Sequence, residues 1–212
     1  MSVENRALPS EARFEIPEVN EELYTLTLEA LAKEGYTFVT PIKPLAINHI
    51  LFTDKEIEAL FGDVNIAEAL RNTVSLQMKV AINPNSILVE NSNNLGAAGQ
   101  DYLIGEREFA LKGKLPFEVR HAISMSILNA SATAQLDFEY RHVTGKLLLL
   151  PDQFVRTSEQ NLIVGRPSYE NDNLVPDPSP LHIFSWPRNF ADRDVFVIQA
   201  VVLPRKMATL TP

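Results

Sequence analysis

The chain has 212 residues, 45% of them hydrophobic and 22% charged, which excludes an intrinsically disordered protein and leaves room for a substantial core. It contains no cysteine, so disulfides, thiolate metal sites and a cysteine nucleophile are excluded together. Its net charge of −8 offers no basic footprint for a nucleic acid at the level of composition.

The negative charge is unevenly placed. Residues 1–72 hold six basic and thirteen acidic residues, while the rest of the chain is close to neutral. This acidic third is read as a solvated, mainly helical surface. The opening residues, MSVENRALPSEARFEIPEVNEE, lack a basic stretch followed by an apolar core, so no secretory signal is expected. No later run approaches the roughly 18–20 apolar residues of a membrane span. The expectation is a soluble protein, cytoplasmic or part of an assembled particle, with no membrane partner.

Residues 1–17 have no period and are interrupted by Pro9 and Pro17, so they read as an extended arm, whose Leu8, Phe14 and Ile16 are candidate contacts with another chain. Residues 18–72 read as a helical segment. Its first helix runs from Glu18 to Lys33, with acidic residues in the first turn and Gly35 as a stop. Tyr36–Thr40 is a short strand ended by Pro41 and Pro44. Thr53 and Glu56 form a capping box for a second helix with an apolar edge of Ile57, Leu60 and Phe61, closed by Gly62. A third short helix is expected over Ile66–Arg71.

From Thr73 to Lys206 the signal changes to a β-rich domain. Val74, Leu76, Met78, Val80 and Ile82 alternate with more polar neighbours, which predicts an amphipathic strand over Thr73–Ile82. Asn83–Ser86 is turn chemistry, Ile87–Glu90 a partner strand, and Asn91–Gln100 an exposed mobile loop. Tyr102–Ile104 and Arg107–Leu115 are predicted strands, with Phe109, Leu111 and Leu115 on one face and Gly113 a bulge. Phe117–Thr133 fits two periods: Ile123, Met125 and Ile127 alternate as in a strand, whereas Val119, Ile123, Ile127 and Ala130 fit a helix. The β-rich neighbours favour the strand.

Ala134–Arg156 carries the clearest local signal. Leu136, Phe138 and Tyr140 alternate with Asp137, Glu139 and Arg141, Thr144-Gly145 offers a turn, and Leu147–Leu150 returns as an apolar leg, which together predict a central β-hairpin. Asn161–Gly165 is a short strand. The Pro-rich stretch Arg166–Pro180 reads as a surface excursion that contacts a partner, with Tyr169, Leu174 and Val175 as candidate contacts. Leu181–Trp186 and Asp194–Leu203 close the domain as strands, and residues 207–212 form a short tail. The predicted fold class is α+β, with the acidic, mainly helical N-terminal third packed on a predominantly antiparallel β-sandwich or jelly-roll-like body.

Catalytic templates find no match. His49, His121, His142 and His182 form none of the usual metal-ligand spacings, and no GxSxG elbow is present. Gly105 and Gly113-Lys114 have the wrong spacing for a phosphate loop, and Gly96–Gly99 lacks the basic flanks of an RNA-clamping GxxG. Asp137 with Glu139, and Glu106 with Glu108, would pair on the wet face of strands, where no carboxyl is held in a dry pocket. Asn129-Ala130-Ser131 is a glycosylation sequon that matters only in a secreted chain. The expectation is a non-catalytic structural protein, without cofactor or metal, that binds copies of itself and other subunits. A component of a large symmetric particle, such as a virion capsid, connector or tail protein, fits best. The alternative is a β-sandwich or barrel enzyme or a small-ligand or metal binder, with a site gathered from His142, His182, Tyr140 and the Asp137/Glu139 region.

Overall fold

The computed structural model describes residues 15–47, 73–159, 161–170, 173–174 and 181–207. The expected helices over Thr53–Gly62 and Ile66–Arg71 lie outside these residues, as do Leu8, Phe14, His49, Val175 and the tail from residue 208.

The first half of the chain gives β1 (Glu18–Val19), α1 (Glu21–Lys33), β2 (Phe38–Ile42), β3 (Met78–Ile82) and α2 (Ala97–Lys114). α3 (Phe117–Arg120), β4 (Ser124–Met125), α4 (Ala130–Thr144), β5 (Phe154–Arg156) and β6 (Leu162–Gly165) follow. The chain then forms β7 (Tyr169–Glu170), β8 (Asn173–Leu174), β9 (His182–Ser185), β10 (Val195–Phe196), β11 (Ala200–Val202) and β12 (Arg205–Lys206). The fold is α+β. One four-stranded sheet has the order β2-β3-β11-β4 and is antiparallel throughout. The other has the order β10-β5-β6-β9, antiparallel except for the parallel β10–β5 pair.

The α1 helix forms much as its sequence signals. Asn20 caps it, its side chain accepting from the Leu23 N–H at 2.8 Å, and Gly35 follows the end at φ +88°, a value that L side chains rarely adopt. Tyr24, Thr27, Ala30 and Leu31 make the buried face.

The expected hairpin over Ala134–Arg156 is not formed: residues Ala130–Thr144 are helical. The helix wins because both of its ends are specified. The Asn129 side chain accepts from the Ala132 N–H at 2.8 Å, and Gly145, read above as a hairpin turn, is instead the left-handed C-cap at φ 69°. Ala130, Ala132 and Ala134 add helix propensity. The alternation of Leu136, Phe138 and Tyr140 is real but does not decide the structure: Leu136 and Tyr140, one turn apart, are buried, while Phe138 is exposed. Leu147–Leu150 then forms no strand.

The strands expected over Tyr102–Ile104 and Arg107–Leu115 are likewise one helix, α2, and Gly113 is a helical residue instead of a bulge. Its start at Ala97 takes the end of the expected Asn91–Gln100 loop. Phe117–Thr133 divides into the short α3, the two-residue β4 and the first turns of α4. The expected strand Ile87–Glu90 is reduced to a single bridge, Leu88 to Ile198.

The long apolar run Asp194–Leu203 is divided between the sheets. Val195–Phe196 joins β5 in one sheet and Ala200–Val202 joins β3 and β4 in the other. Within the β2-β3-β11-β4 sheet, β11 is buried on both faces, as such an apolar run requires, while the edge strand β2 leaves Val39 and Pro41 exposed. Val80, Ile82, Ala200 and Val202 face a core completed by α4 and by Val155, Leu162, Val164 and Ile183 of the second sheet. Ala81, Met125 and Val201 face a second core built with α1 and α2. α4 packs against both sheets, and α1 and α2 lie on the other side of the first sheet.

Residues 43–47 are tied to α4 by side chains. The Gln135 amide accepts from the Lys43 N–H at 2.8 Å and donates to the Lys43 carbonyl at 3.0 Å, reproducing one rung of a strand ladder. Ser131 donates to the Leu45 carbonyl at 2.6 Å.

Candidate protein-interaction surface

The α2 helix presents two opposite faces. Ala97, Gln100, Ile104 and Leu111 are buried against the body. At 100° per residue, Tyr102, Gly105, Phe109 and Gly113 share a stripe on the other side. Tyr102 is 68% exposed and Phe109 82% exposed, and Phe117, just beyond the helix end, is 69% exposed. A Cβ added at Gly105 or Gly113 would meet nothing within 4 Å, so among the described residues no contact accounts for either glycine. Each glycine nevertheless costs the helix about 1 kcal/mol relative to alanine. The stripe is therefore a ring at Phe109 with bare backbone one turn to either side.

The rest of α2 fixes this face in place. Near its N-terminus the buried Gln100 donates to the carbonyls of Ser92 and Val195 at 2.9 and 3.1 Å and accepts from Arg156 Nε at 2.6 Å. Arg156, itself buried, also donates to the Phe190 carbonyl at 2.8 Å. Further along, Glu108 accepts from the Met125 N–H at 2.7 Å and pairs with Lys112 at 2.6 Å, tying the helix to β4. Tyr102 donates to Glu106 at 2.8 Å, and that bond to a carboxylate raises the phenol above its ordinary value. Around Phe109 the charges are ordered: Glu106 and Glu108 precede it and Lys112 and Lys114 follow it, with Arg107 as the exception.

Of the residues singled out from sequence, Ile16 packs, half-buried, against the main core of its own chain. Tyr169 and Leu174 are brought together as register partners in the β7–β8 ribbon. The residues of the alternative ligand site are separated by the turn of α4. Asp137, expected on a wet strand face, is fully buried and ion-paired with the equally buried Arg166. Burial pushes its carboxyl above the ordinary range, against the opposing pull of Arg166. Tyr140 is buried edge-on to Phe38, with ring centroids 5.0 Å apart, whereas His142, expected at a sheet rim, is exposed in the last turn. His182 stacks on Phe184, and His121 meets Phe117 edge-on. Glu106 and Glu108 are likewise turned about 200° apart by the helix and engage different partners.

No group of three or more His, Cys, Asp or Glu able to hold a metal ion occurs among the described residues. No helix among them is long and apolar enough to cross a membrane. Comparison with family models, with characterised proteins and with solved structures gave no match. The reading of the surface therefore rests on its own geometry.

Sequence reasoning missed Tyr102, Phe109 and Phe117 because a strand period placed Phe109 on the buried face with Leu111 and Leu115. The available signal was the i, i+3, i+7, i+11 spacing of Tyr102, Gly105, Phe109 and Gly113.

Proposed function

We propose that this chain is a non-catalytic assembly protein that binds a second copy of itself through the outer face of α2. The exposure of Phe109 between two open glycines carries this reading. A two-fold interface must be self-complementary, and here knob and holes lie on the same stripe. Rings of this type bury roughly 150–250 Å² each, so Tyr102, Phe109 and Phe117 offer on the order of 400 Å². That is about half of what one partner brings to a standard interface, and flanking side chains extend it.

Further contacts come from the arm and the Pro-rich excursion, with Leu8, Phe14, Ile16, Tyr169, Leu174 and Val175 as the contributing residues. The parallel β1–β12 pairing supports a joint role for the two ends of the chain, since it sets Glu18 and Val19 beside Arg205 and Lys206. The two sheets with α4 between them are read as a sandwich-like body carrying these attachments. A component of a large symmetric particle, such as a capsid, connector or tail, is the setting such attachments fit, with other subunits as additional partners.

Light scattering across a concentration series tests this on the full chain and on a chain lacking residues 1–14. Dimers or larger species for the full chain, reduced to dimers without the arm, are expected. A monomer at every concentration would overturn the proposal.

A further inference from the structure

A cleft of about 580 Å³ opens where α1, the β2–β3 pair and β12 meet. Four cations line it: Lys43, Lys79, Arg205 and Lys206. Among the described residues none of its lining groups is acidic. The chain as a whole carries a net charge of −8, so this convergence runs against its average. Like charges gathered in one concavity repel one another unless an anion joins them.

Three of the cations are held in position. Lys79 donates to the Tyr24 hydroxyl at 3.2 Å and sits 5.4 Å from the centre of that ring. Arg205 donates one N–H to the Gln77 carbonyl at 3.2 Å, which uses one of the five donors of a guanidinium. Lys206 pairs with Glu21 of α1. Apolar groups complete the lining: Pro204 and the Tyr24 ring are largely buried, and the exposed Pro41 and Pro44 stand beside them. The volume falls in the usual range of small-molecule sites, roughly 300–1,000 Å³.

We propose that this cleft binds a small anion carried on an apolar body, with Lys43, Lys79 and Arg205 meeting the charged group and Pro41, Pro44, Pro204 and the Tyr24 ring taking the apolar part. The site is independent of the α2 face, and either can fail without the other.

Titration of the full chain with anilinonaphthalene sulfonate, an aromatic anion whose fluorescence reports binding, tests it. Saturable binding that weakens with salt is expected, with inorganic phosphate competing only at much higher concentration. The charge-reversed double variant Lys43→Glu/Arg205→Glu should bind the dye at least about 10-fold more weakly. The neutral pair Lys43→Gln/Arg205→Gln should fall between, and Lys146→Glu, exposed and outside the cleft, should bind as the parent does. Circular dichroism establishes that each variant is folded. Competition by a soluble alkyl phosphate would assign the anion to a free small molecule, and competition only by phosphatidylserine vesicles would assign it to a lipid. Equal dye affinity for the parent and both double variants would overturn the proposal.

Discussion

At the scale of single residues, Asp137 of α4 and Arg166 just after β6 form an ion pair in which both side chains are essentially inaccessible to water. Taking one partner away leaves the other charge buried without its counterion. Arg166→Met should therefore destabilise the protein by about 3–5 kcal/mol in urea unfolding, and Asp137→Leu/Arg166→Met should recover much of the loss. A single variant that costs under about 1 kcal/mol would show that the pair does not hold α4 to the sheet. A second carboxylate behaves in the opposite way. Asp152 is held below its ordinary pKa by the Ser168 hydroxyl and backbone N–H, at 2.7 and 2.8 Å. Because its folded value is the lower one, its small contribution to stability is present above the unfolded carboxylate range and fades as pH falls through the folded value. Carboxyl-carbon NMR titration should show this depressed value, and Ser168→Ala should move it upward. An unchanged value in the variant would remove Ser168 as the cause.

At the scale of elements, the glycines of α2 separate a structural role from an interaction role. Both lie inside a helix and face open space. Gly105→Ala and Gly113→Ala should each stabilise the isolated chain by about 0.5–1 kcal/mol, since alanine suits a helix better. The same substitutions place a methyl where a partner ring is to sit, so they should weaken self-association. A gain in thermal stability together with firmer association would contradict the close approach. How far these elements could be read from sequence depended on local caps and on period. α1 was legible because the acidic first turn and Gly35 agree with its apolar face, although the Asn20 cap moves its start from the expected Glu18 to Glu21. β6, β9 and β3 were legible in position, as short apolar runs between turns. α2 and α4 were not. In both, apolar residues fall at alternate positions over a short window, and only the caps at Asn129 and Gly145 and the burial of Leu136 with Tyr140 resolve α4 as a helix. The misreading of α2 also hid the interaction stripe, because a strand puts Phe109 with Leu111 while a helix turns them about 200° apart.

At the scale of the whole molecule, two cores share one sheet, and a single segment, Asp194–Leu203, serves both sheets. α1 and α2 cover one side of the first sheet. Among the described residues nothing covers the outer side of α2, with its exposed rings at Tyr102 and Phe109. The central claim is that a second copy covers this face. Sedimentation equilibrium of the full chain and of Phe109→Glu measures it most directly. Phe109 is 82% exposed, so the substitution should leave the fold and its unfolding midpoint nearly unchanged. If the ring is an interface anchor, the variant should associate at least about 30-fold more weakly than the parent. Equal association constants for the two proteins would contradict the account.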